Sequence, residues 1–332
     1  MTIVRKYLSE LRFGESVVFR NLTMFGLEGP SEGNLDYLTL ANAIRLDVAK
    51  VSEISDGGSV PELLFENLAD LPVLILDGEE LLGAKQNRTV NLTILAPARK
   101  AVKIPVSCVE AGRWRRESTH FVMSDRHHMA RSRASRAGAV SCSLQRDGSR
   151  LSDQGRVWAD ISAKAARMQA RSDTQAMAEI FDRHRGSLES YVEAFTSGAS
   201  QNGALFAIGS EVVGLDLFDR QSTLAAVLPK LVRSYAIDAI ESEREDARGA
   251  RKEDAEAFLA QLAEAEIESY RALGLGTDLR VSSPEVVGGG LAVDDRLIHL
   301  AAFAAVSDTT AAESGPGTMA RMSSRRRSFG RR

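Results

Sequence analysis

Alternation of apolar and polar residues in the N-terminal third of the chain constrains the fold most strongly. Within residues 87–95 the apolar side chains fall on one face and the polar ones on the other, which is the two-residue period of a half-buried strand. Residues 102–108 repeat this alternation, and Pro97 marks a turn between the two segments. Pro105 indicates an edge position or a bulge. The pattern favours an antiparallel β-sandwich or barrel over a parallel sheet.

Helical spacing replaces this alternation in the second half of the chain. Apolar residues recur at helical intervals in 154–170, 175–196, 223–240 and 252–273, which predicts amphipathic helices. Pro229, inside the third of these segments, predicts a kink or a restart of the helix.

An Arg-, Ser- and Gly-rich stretch with little periodicity, residues 125–153, separates the predicted strands from the predicted helices. We expect a long loop there, of a length that is usually functional or disordered. The chain is therefore predicted to form one α+β domain over residues 1–306. Residues 1–124 are expected to be β-rich and sandwich- or barrel-like, and residues 125–153 to form the Arg-rich loop. Residues 154–200 are expected to be helical, and residues 201–306 to combine helices with two β-hairpins. A disordered basic tail, residues 307–332, is expected to follow the domain.

The two predicted hairpins resemble each other in sequence. Residues 207–218 and 292–303 both fit the pattern A-[IV]-x-x-x-[VL]-[VI]-x-L-x-x-F. They are either two ordinary hairpins with similar turns or two halves of a duplicated unit that lie side by side in one sheet.

Charge is distributed unevenly over a chain whose net charge is only −3. Residues 113–156 contain ten Arg and four acids, and residues 313–332 contain six Arg and one Glu. These segments are either solvated or form an anion-binding surface, because guanidinium groups bind phosphate bidentately. The acidic remainder argues against dedicated nucleic-acid binding, although the tail could attract nucleic acid weakly.

Neither a signal peptide nor a membrane span is recognisable in the sequence, so we expect no membrane partner. Two cysteines, Cys108 and Cys142, are too few for a disulfide framework, which indicates a reducing, cytoplasmic location. The five histidines form no metal-binding pattern, and no cofactor motif is present, so we expect neither a metal nor a cofactor. Oligomeric state is left open.

The densest group of polar residues lies in residues 76–88, between two predicted strands. Its last ten residues, 79–88, contain two acids, two carboxamides and two cations, which are Glu79, Glu80, Gln86, Asn87, Lys85 and Arg88. The acids could act as general bases, the cations could hold a phosphate or an oxyanion, and the carboxamides could recognise a base, a ribose or an amide. The alternative is a buried network of ion pairs and hydrogen bonds that fixes a hairpin.

Residues 104–114 supply a possible opposing wall for this site. Glu110 is in phase with the apolar face of its strand, so it lies at an exposed end or pairs with a cation such as Arg88 or Arg113. Trp114 could stack on a flat ring or cap the core. Cys108, on the same apolar face, is better explained as a packed thiol than as a nucleophile. Farther along, Asp216 lies among apolar strand residues and needs a partner, for which an arginine is the preferred interpretation.

These residues are similar to a family described as the ADP-ribosylglycohydrolase- and rhodanese-phosphatase-superfamily-associated protein domain. The matching stretches are 59–67, 76–91, 104–114, 153–154 with Trp158, 213–218 and 287–303. The resemblance implies a role in handling NAD-derived nucleotides or ADP-ribosylated molecules.

Two functions follow as hypotheses. The first is an enzyme or sensor that binds or processes an ADP-ribose-like nucleotide at a pocket around residues 79–91 and 108–114. Its predicted catalytic residues are Glu79, Glu80 and Glu110, and its predicted ligand-binding residues are Lys85, Gln86, Asn87, Arg88, Asn91, Arg113 and Trp114. The second is a non-catalytic interaction module in which the same polar residues are structural. The sequence leaves open whether the protein is an enzyme.

Overall fold

The computed structural model describes residues 2–30, 35–55, 57–115, 118–242 and 249–305. The tail predicted for 307–332 lies outside these ranges. The helices are α1 (Ile3–Glu10), α2 (Leu40–Arg45), α3 (Ala130–Asp147), α4 (Gln154–Arg167), α5 (Ala178–Arg183), α6 (Arg185–Ala194), α7 (Gln221–Glu241) and α8 (Lys252–Glu264). The strands are β1 (Arg12–Phe19), β2 (Leu22–Glu28), β3 (Leu38–Thr39), β4 (Ala49–Glu53), β5 (Glu62–Asn67), β6 (Val73–Ile75), β7 (Glu79–Gly83), β8 (Arg88–Val90), β9 (Ile94–Ala96), β10 (Ala101–Cys108), β11 (Phe121–His127), β12 (Gly203–Ile208), β13 (Glu211–Phe218), β14 (Glu266–Arg271), β15 (Thr277–Ser282), β16 (Val286–Val293) and β17 (Arg296–Ala304).

A large antiparallel sheet forms the centre of the molecule, with strand order β1-β2-β12-β13-β17-β16-β15-β14. Alternate residues of its strands point to opposite faces and bury two separate clusters of apolar side chains. One cluster includes Leu205, Leu217 and Leu300 and packs against α1 and α8. The other includes Phe206 and Phe303 and packs against α3 and α7. Both faces of this sheet are therefore covered by helices.

The two similar hairpins, β12–β13 and β16–β17, lie side by side, because β13 pairs with β17 at the centre of the sheet. Each hairpin has its register shift at the same place in the pattern, at Phe206/Ala207 and at Leu291/Ala292. Each also belongs to a larger unit of one helix and four strands. These units are α1-β1-β2-β12-β13 and α8-β14-β15-β16-β17. The side-by-side interpretation is confirmed, and the shared register shift supports a duplication.

Residues 29–202 form an insertion between β2 and β12 that carries the rest of the β-structure. Six of its strands form a sheet in the order β11-β7-β8-β10-β5-β4, and β3, β6 and β9 form a third sheet. Residues such as Phe65, Val90 and Ile104 are fully buried in a common apolar cluster between these strands. The predicted α+β class, with a β-rich N-terminal part and helices after it, is confirmed.

The loop predicted for 125–153 is wrong, because α3 occupies most of it. The buried face of α3 is built from small residues such as Ala134 and Ala137 and from two arginines, Arg133 and Arg136. Acids from other elements compensate Arg133, so its charge is tolerated inside the protein. A helix whose inner face is alanine and arginine lacks the periodicity of large apolar residues on which the prediction depended.

Three helix predictions also need correction. The helix predicted for 252–273 ends at Glu264, since the following residues alternate in exposure and pair with β15 as strand β14. The helix predicted for 175–196 is divided into α5 and α6. Of the two outcomes predicted for Pro229, the restart is wrong, because α7 continues through this residue as one helix. None of the helices in the described ranges combines the length and apolar character needed to cross a membrane.

Candidate functional site

Most of the predicted site residues gather where β8 begins beside the end of β10. Arg88 is directly opposite Cys108 in this pair of strands, so the two side chains point to the same face of the sheet. Both residues are fully buried. The surrounding group is called the Arg88 cluster and consists of Glu53, Lys85, Gln86, Asn87, Arg88, Cys108, Glu110, Arg113, Trp114, Gln154 and Trp158.

Glu110 connects the residues just before β8 with the residues that follow β10. Its carboxylate Oε2 accepts a hydrogen bond from the Asn87 backbone N–H at 3.1 Å and pairs with Arg113 Nη2 at 2.7 Å. Its backbone oxygen accepts a bond from Gln86 Nε2 at 3.0 Å. Burial alone would raise the pKa of Glu110, but the bonds from Arg113 and Asn87 outweigh it and lower the pKa. Glu110 is therefore an ionised carboxylate held in a fixed position.

Arg88 makes fewer hydrogen bonds than a fully buried guanidinium group needs. Nη1 donates to Gln86 Oε1 at 2.9 Å. Nε and Nη2 are buried without a hydrogen-bond partner, and no carboxylate among the described residues forms an ion pair with the guanidinium. Burial lowers the pKa of Arg88, while Cys108 and the nearby Glu53 carboxylate raise it. Glu53 itself has one buried oxygen, Oε2, without a donor.

Two half-exposed tryptophans flank the Arg88–Cys108 pair. The guanidinium of Arg88 is 5.8 Å from the centre of the Trp114 ring, and the Nζ of Lys85 is 5.2 Å from it. Trp114 is 50% exposed and Trp158 is 36% exposed. Burial raises the pKa of the Cys108 thiol, although hydrogen bonding to Trp158 and the charge of Arg88 act against this. The thiol is thus kept protonated, as expected for a packed cysteine.

Gln154 and Trp158 were absent from the predicted ligand set, although both lie in a stretch quoted for the family resemblance. The Gln154 side chain accepts from the Cys108 N–H at 2.8 Å and donates to the Cys108 oxygen at 2.9 Å. It thereby continues the sheet edge as a strand would and brings α4 against β10. The only sequence signal for this contact was the resemblance itself, because α4 is distant from β10 along the chain.

The other three predicted residues, Glu79, Glu80 and Asn91, lie outside the Arg88 cluster. Glu80 is opposite Thr89 and so points to the other face of the sheet from Arg88. Its Oε2 accepts from Arg126 Nε and from Ser124 Oγ, each at 2.7 Å.

Glu79 and Asn91 are also committed to other contacts. Glu79 Oε2 accepts from the Leu76 N–H at 3.1 Å, and its Oε1 is 3.4 Å from the Nζ of Lys230. Asn91 accepts from Ser107 at 2.6 Å and donates to the Arg150 oxygen at 3.2 Å. All three residues lie among internal polar contacts instead of beside the tryptophans.

A second polar group, the Arg133 network, joins the insertion to the large sheet. It consists of Asp77, Thr93, Arg133, Asp216, Tyr235 and His299. Arg133 Nη2 is 2.6 Å from Asp216 Oδ1, and its Nε is 3.1 Å from Asp77 Oδ2. The preferred interpretation of Asp216 as the partner of an arginine is confirmed. Local sequence patterns do not indicate Arg133, because residues 125–153 lack the periodicity of large apolar residues that predicts a helix.

The carboxylates and imidazole of this network have the residue types of a metal site. Donor atoms of Asp77, Asp216 and His299 all lie within 4.8 Å of one another. Arg133 already places a fixed positive charge on both carboxylates, so a divalent cation would meet strong repulsion there. These residues fit an internal arginine better than a metal.

The chain belongs to the family of the ARG and Rhodanese-Phosphatase-superfamily-associated Protein domain, whose family model matches residues 10–303. The name links it to the ADP-ribosylglycohydrolase and rhodanese-phosphatase superfamilies. The match spans both large sheets and both polar groups. A search of curated proteins and a search of solved structures each returned no match.

Proposed function

We propose that the Arg88 cluster binds an NAD-derived nucleotide, with ADP-ribose or an ADP-ribosylated molecule as the ligand class. The observation that carries this proposal is the unpaired state of Arg88. A fully buried guanidinium with two unsatisfied donors destabilises the folded state, because no counterion offsets the free energy of its desolvation. A phosphate oxygen would satisfy Nε and Nη2 together, since guanidinium binds phosphate in a forked geometry.

The neighbours of Arg88 suit the rest of such a ligand. Trp114 and Trp158 expose ring surface on which an adenine could stack, an interaction worth about 1–3 kcal/mol per base. Lys85 adds a second cation beside Trp114. Of the three predicted catalytic acids, only Glu110 lies in this cluster, so it is our candidate for an acid–base role if the ligand is processed.

The alternative function, a non-catalytic interaction module, is favoured by a different observation. The hydrogen bonds of Glu110 are made to its neighbours Gln86 and Asn87 and involve backbone groups, as in a structural network. In that case the exposed tryptophans would contact a protein partner. The two functions differ in what they require of Arg88, which is needed for a ligand in the first and for packing in the second.

A thermal-shift titration with ADP-ribose, NAD, nicotinamide and inorganic phosphate tests the proposal. A ligand at a hundredfold excess over its Kd stabilises the folded state by about 2.7 kcal/mol, which raises Tm. We expect Arg88→Met to abolish the nucleotide response without lowering the Tm of the unliganded protein, because methionine keeps volume and removes an unpaired buried charge.

Arg99→Met serves as the matched control, because Arg99 is an exposed arginine that pairs with the exposed Asp70, and it should keep the full response. A response to phosphate alone would reduce the ligand class to simple anions. A wild type that responds to none of the compounds, together with a less stable Arg88→Met variant, would contradict the proposal and favour the interaction module.

A further inference from the structure

The Arg88 cluster contains a second buried group with an unpaired polar atom, the carboxylate of Glu53. This residue is 7% exposed. Its Oε1 accepts a hydrogen bond from the Lys85 backbone N–H at 3.3 Å, whereas its Oε2 is buried and has no donor among the residues that the structure describes. A buried carboxylate oxygen without a hydrogen bond destabilises the folded state. The cluster thus combines an unpaired acceptor at Glu53 with two unpaired donors at Arg88.

Strand register places Glu53 and Arg88 on the same face of the six-stranded sheet. Glu53 is opposite Leu63 in β5, and Leu63 is opposite Ile104 in β10. Ile104 and Cys108 are in the same phase of β10, and Cys108 is opposite Arg88, so all these side chains project to one side. Burial lowers the pKa of Arg88, while Cys108 and Glu53 raise it. The unpaired atoms of Glu53 and Arg88 do not bond to each other.

These two groups require opposite chemistry from a ligand. The guanidinium of Arg88 can only donate, so Nε and Nη2 need an acceptor such as a phosphate oxygen. An ionised Glu53 can only accept, and it would repel a phosphate oxygen of the same charge. Its Oε2 needs a donor, which a hydroxyl group supplies. Ribose carries its phosphate and its hydroxyl groups on one small ring, so a nucleotide offers the acceptor and the donor side by side.

The position of Trp114 indicates which ribose of an ADP-ribose-like ligand would lie here. Its ring centre is 5.8 Å from the Arg88 guanidinium, so a base stacked on the ring and a phosphate on Arg88 are joined by the adenosine ribose. Lys85 extends from Glu53 to this ring, since its N–H bonds to Glu53 and its Nζ is 5.2 Å from the ring centre. Gly58 adds no side chain beside Glu53, where a Cβ would be 3.4 Å from Oε2.

We propose that Glu53 is a specificity-determining residue of the nucleotide site, and that its Oε2 accepts a hydrogen bond from a hydroxyl group of the adenosine ribose. This inference rests on the proposed function, in which Arg88 binds the phosphate. A 2′-phosphate on that ribose would remove a donor and bring a negative charge against the carboxylate. The site therefore selects ADP-ribose over ADP-ribose 2′-phosphate. Carboxylates recognise the ribose hydroxyl of NAD in dinucleotide-binding folds in the same way.

Isothermal titration calorimetry of the full chain with ADP-ribose and with ADP-ribose 2′-phosphate tests this selection. We expect the wild type to bind ADP-ribose at least about tenfold more tightly, as for the loss of one hydrogen bond to a charged group. In Glu53→Gln the amide oxygen can still accept from Lys85, while its NH₂ group donates to the added phosphate. The ratio of the two Kd values should therefore fall to about one or reverse. Asp70→Asn is the matched control, because Asp70 is 85% exposed, and it should keep the wild-type ratio.

Two results would overturn the inference alone. The first is a wild type that binds both ligands equally. The second is a Glu53→Gln variant that keeps the wild-type ratio, while Arg88→Met binds neither ligand and so supports the proposed function. A wild type that binds neither ligand would overturn the inference and the nucleotide site together. The Tm of each unliganded variant shows whether it is folded. If Glu53→Gln does not fold, the wild-type ratio decides, because the inference requires discrimination against the 2′-phosphate.

Discussion

Two fully buried arginines, Arg88 and Arg133, show how much the surroundings of one residue decide its role. Arg133 lies between two carboxylates, so its charge is compensated inside the protein. Among the residues that the structure describes, Arg88 has one carboxamide partner, Gln86, and two donors without any. A compensated arginine stabilises the fold, whereas an uncompensated one indicates that something else completes the site.

Asp77 should make stability depend on pH in the acid range. Burial alone would raise its pKa, but the charges of Arg133, His299 and Arg136 outweigh burial and lower the pKa from 3.8 to about 2. A carboxylate with a depressed pKa stabilises the folded state above its ordinary pKa, and this contribution is lost as pH falls toward the folded value. We expect the free energy of unfolding to drop by about 2 kcal/mol from this group as pH falls from about 4 to about 2.

Urea unfolding at a series of pH values measures this loss. Asp77→Asn should be less stable at neutral pH and should show a shallower decline below pH about 4, because an amide does not titrate. An Asp77→Asn variant that declines as steeply as the wild type would show that Asp77 does not contribute.

At the scale of elements, α3 shows that a helix can be buried without a stripe of large apolar residues. Ala134 and Ala137 allow close approach to the large sheet. The side chains of Arg133 and Arg136 are also buried. The helix ends at Gly148, whose φ of +75° places it in the left-handed region and whose N–H bonds to the Leu144 oxygen at 3.0 Å. The helix end is thus fixed by a glycine that other residues replace poorly.

Two glycines of this segment should respond in opposite directions to alanine. Gly148→Ala should destabilise the protein by about 1 kcal/mol, because alanine is strained at a positive φ. Gly138→Ala, inside the helix, should stabilise it by up to about 1 kcal/mol through helix propensity. The added Cβ would be 3.7 Å from Val287 Cγ2, an ordinary contact. Chemical denaturation of both variants measures the difference, and equal effects would contradict the assigned end of α3.

At the scale of the whole molecule, two repeated helix-and-strand units make one sheet, and a large insertion interrupts the first unit. The Arg133 network joins these parts, because Asp77 belongs to the insertion and Asp216 to the central strand β13. A hydrogen bond between Thr93 of the insertion and His299 of β17 joins the same two parts. The insertion and the sheet are therefore held together by polar contacts as well as by apolar packing.

Arg133→Met should destabilise the whole molecule by about 3–5 kcal/mol, because it leaves two buried carboxylates without their cation. Arg99→Met is the control, since Arg99 and Asp70 are 62% and 85% exposed, and such a pair contributes little. Urea unfolding followed by circular dichroism compares the two variants. A loss for Arg133→Met no larger than that of the control would mean that the network does not hold the parts together.

Much of the fold could be predicted because strand alternation and helical spacing are local properties of the sequence. The β-rich N-terminal part, the helices after it and the paired hairpins follow from such patterns. Predictions failed where local pattern and tertiary burial disagree, as in α3, or where alternation follows a helix directly, as in β14. Of the site, the sequence located the polar residues around Arg88 but placed Glu79, Glu80 and Asn91 with them.

The sequence by itself determined most of the strands and helices, with α3 and β14 as exceptions, and showed where polar side chains are concentrated. Only the tertiary structure decided which of those side chains are already paired. Asp77, Arg133 and Asp216 are far apart in the chain, so their mutual neutralisation leaves no local trace. The same holds for the lack of a partner at Arg88, because an unsatisfied charge is defined by everything that surrounds it in space.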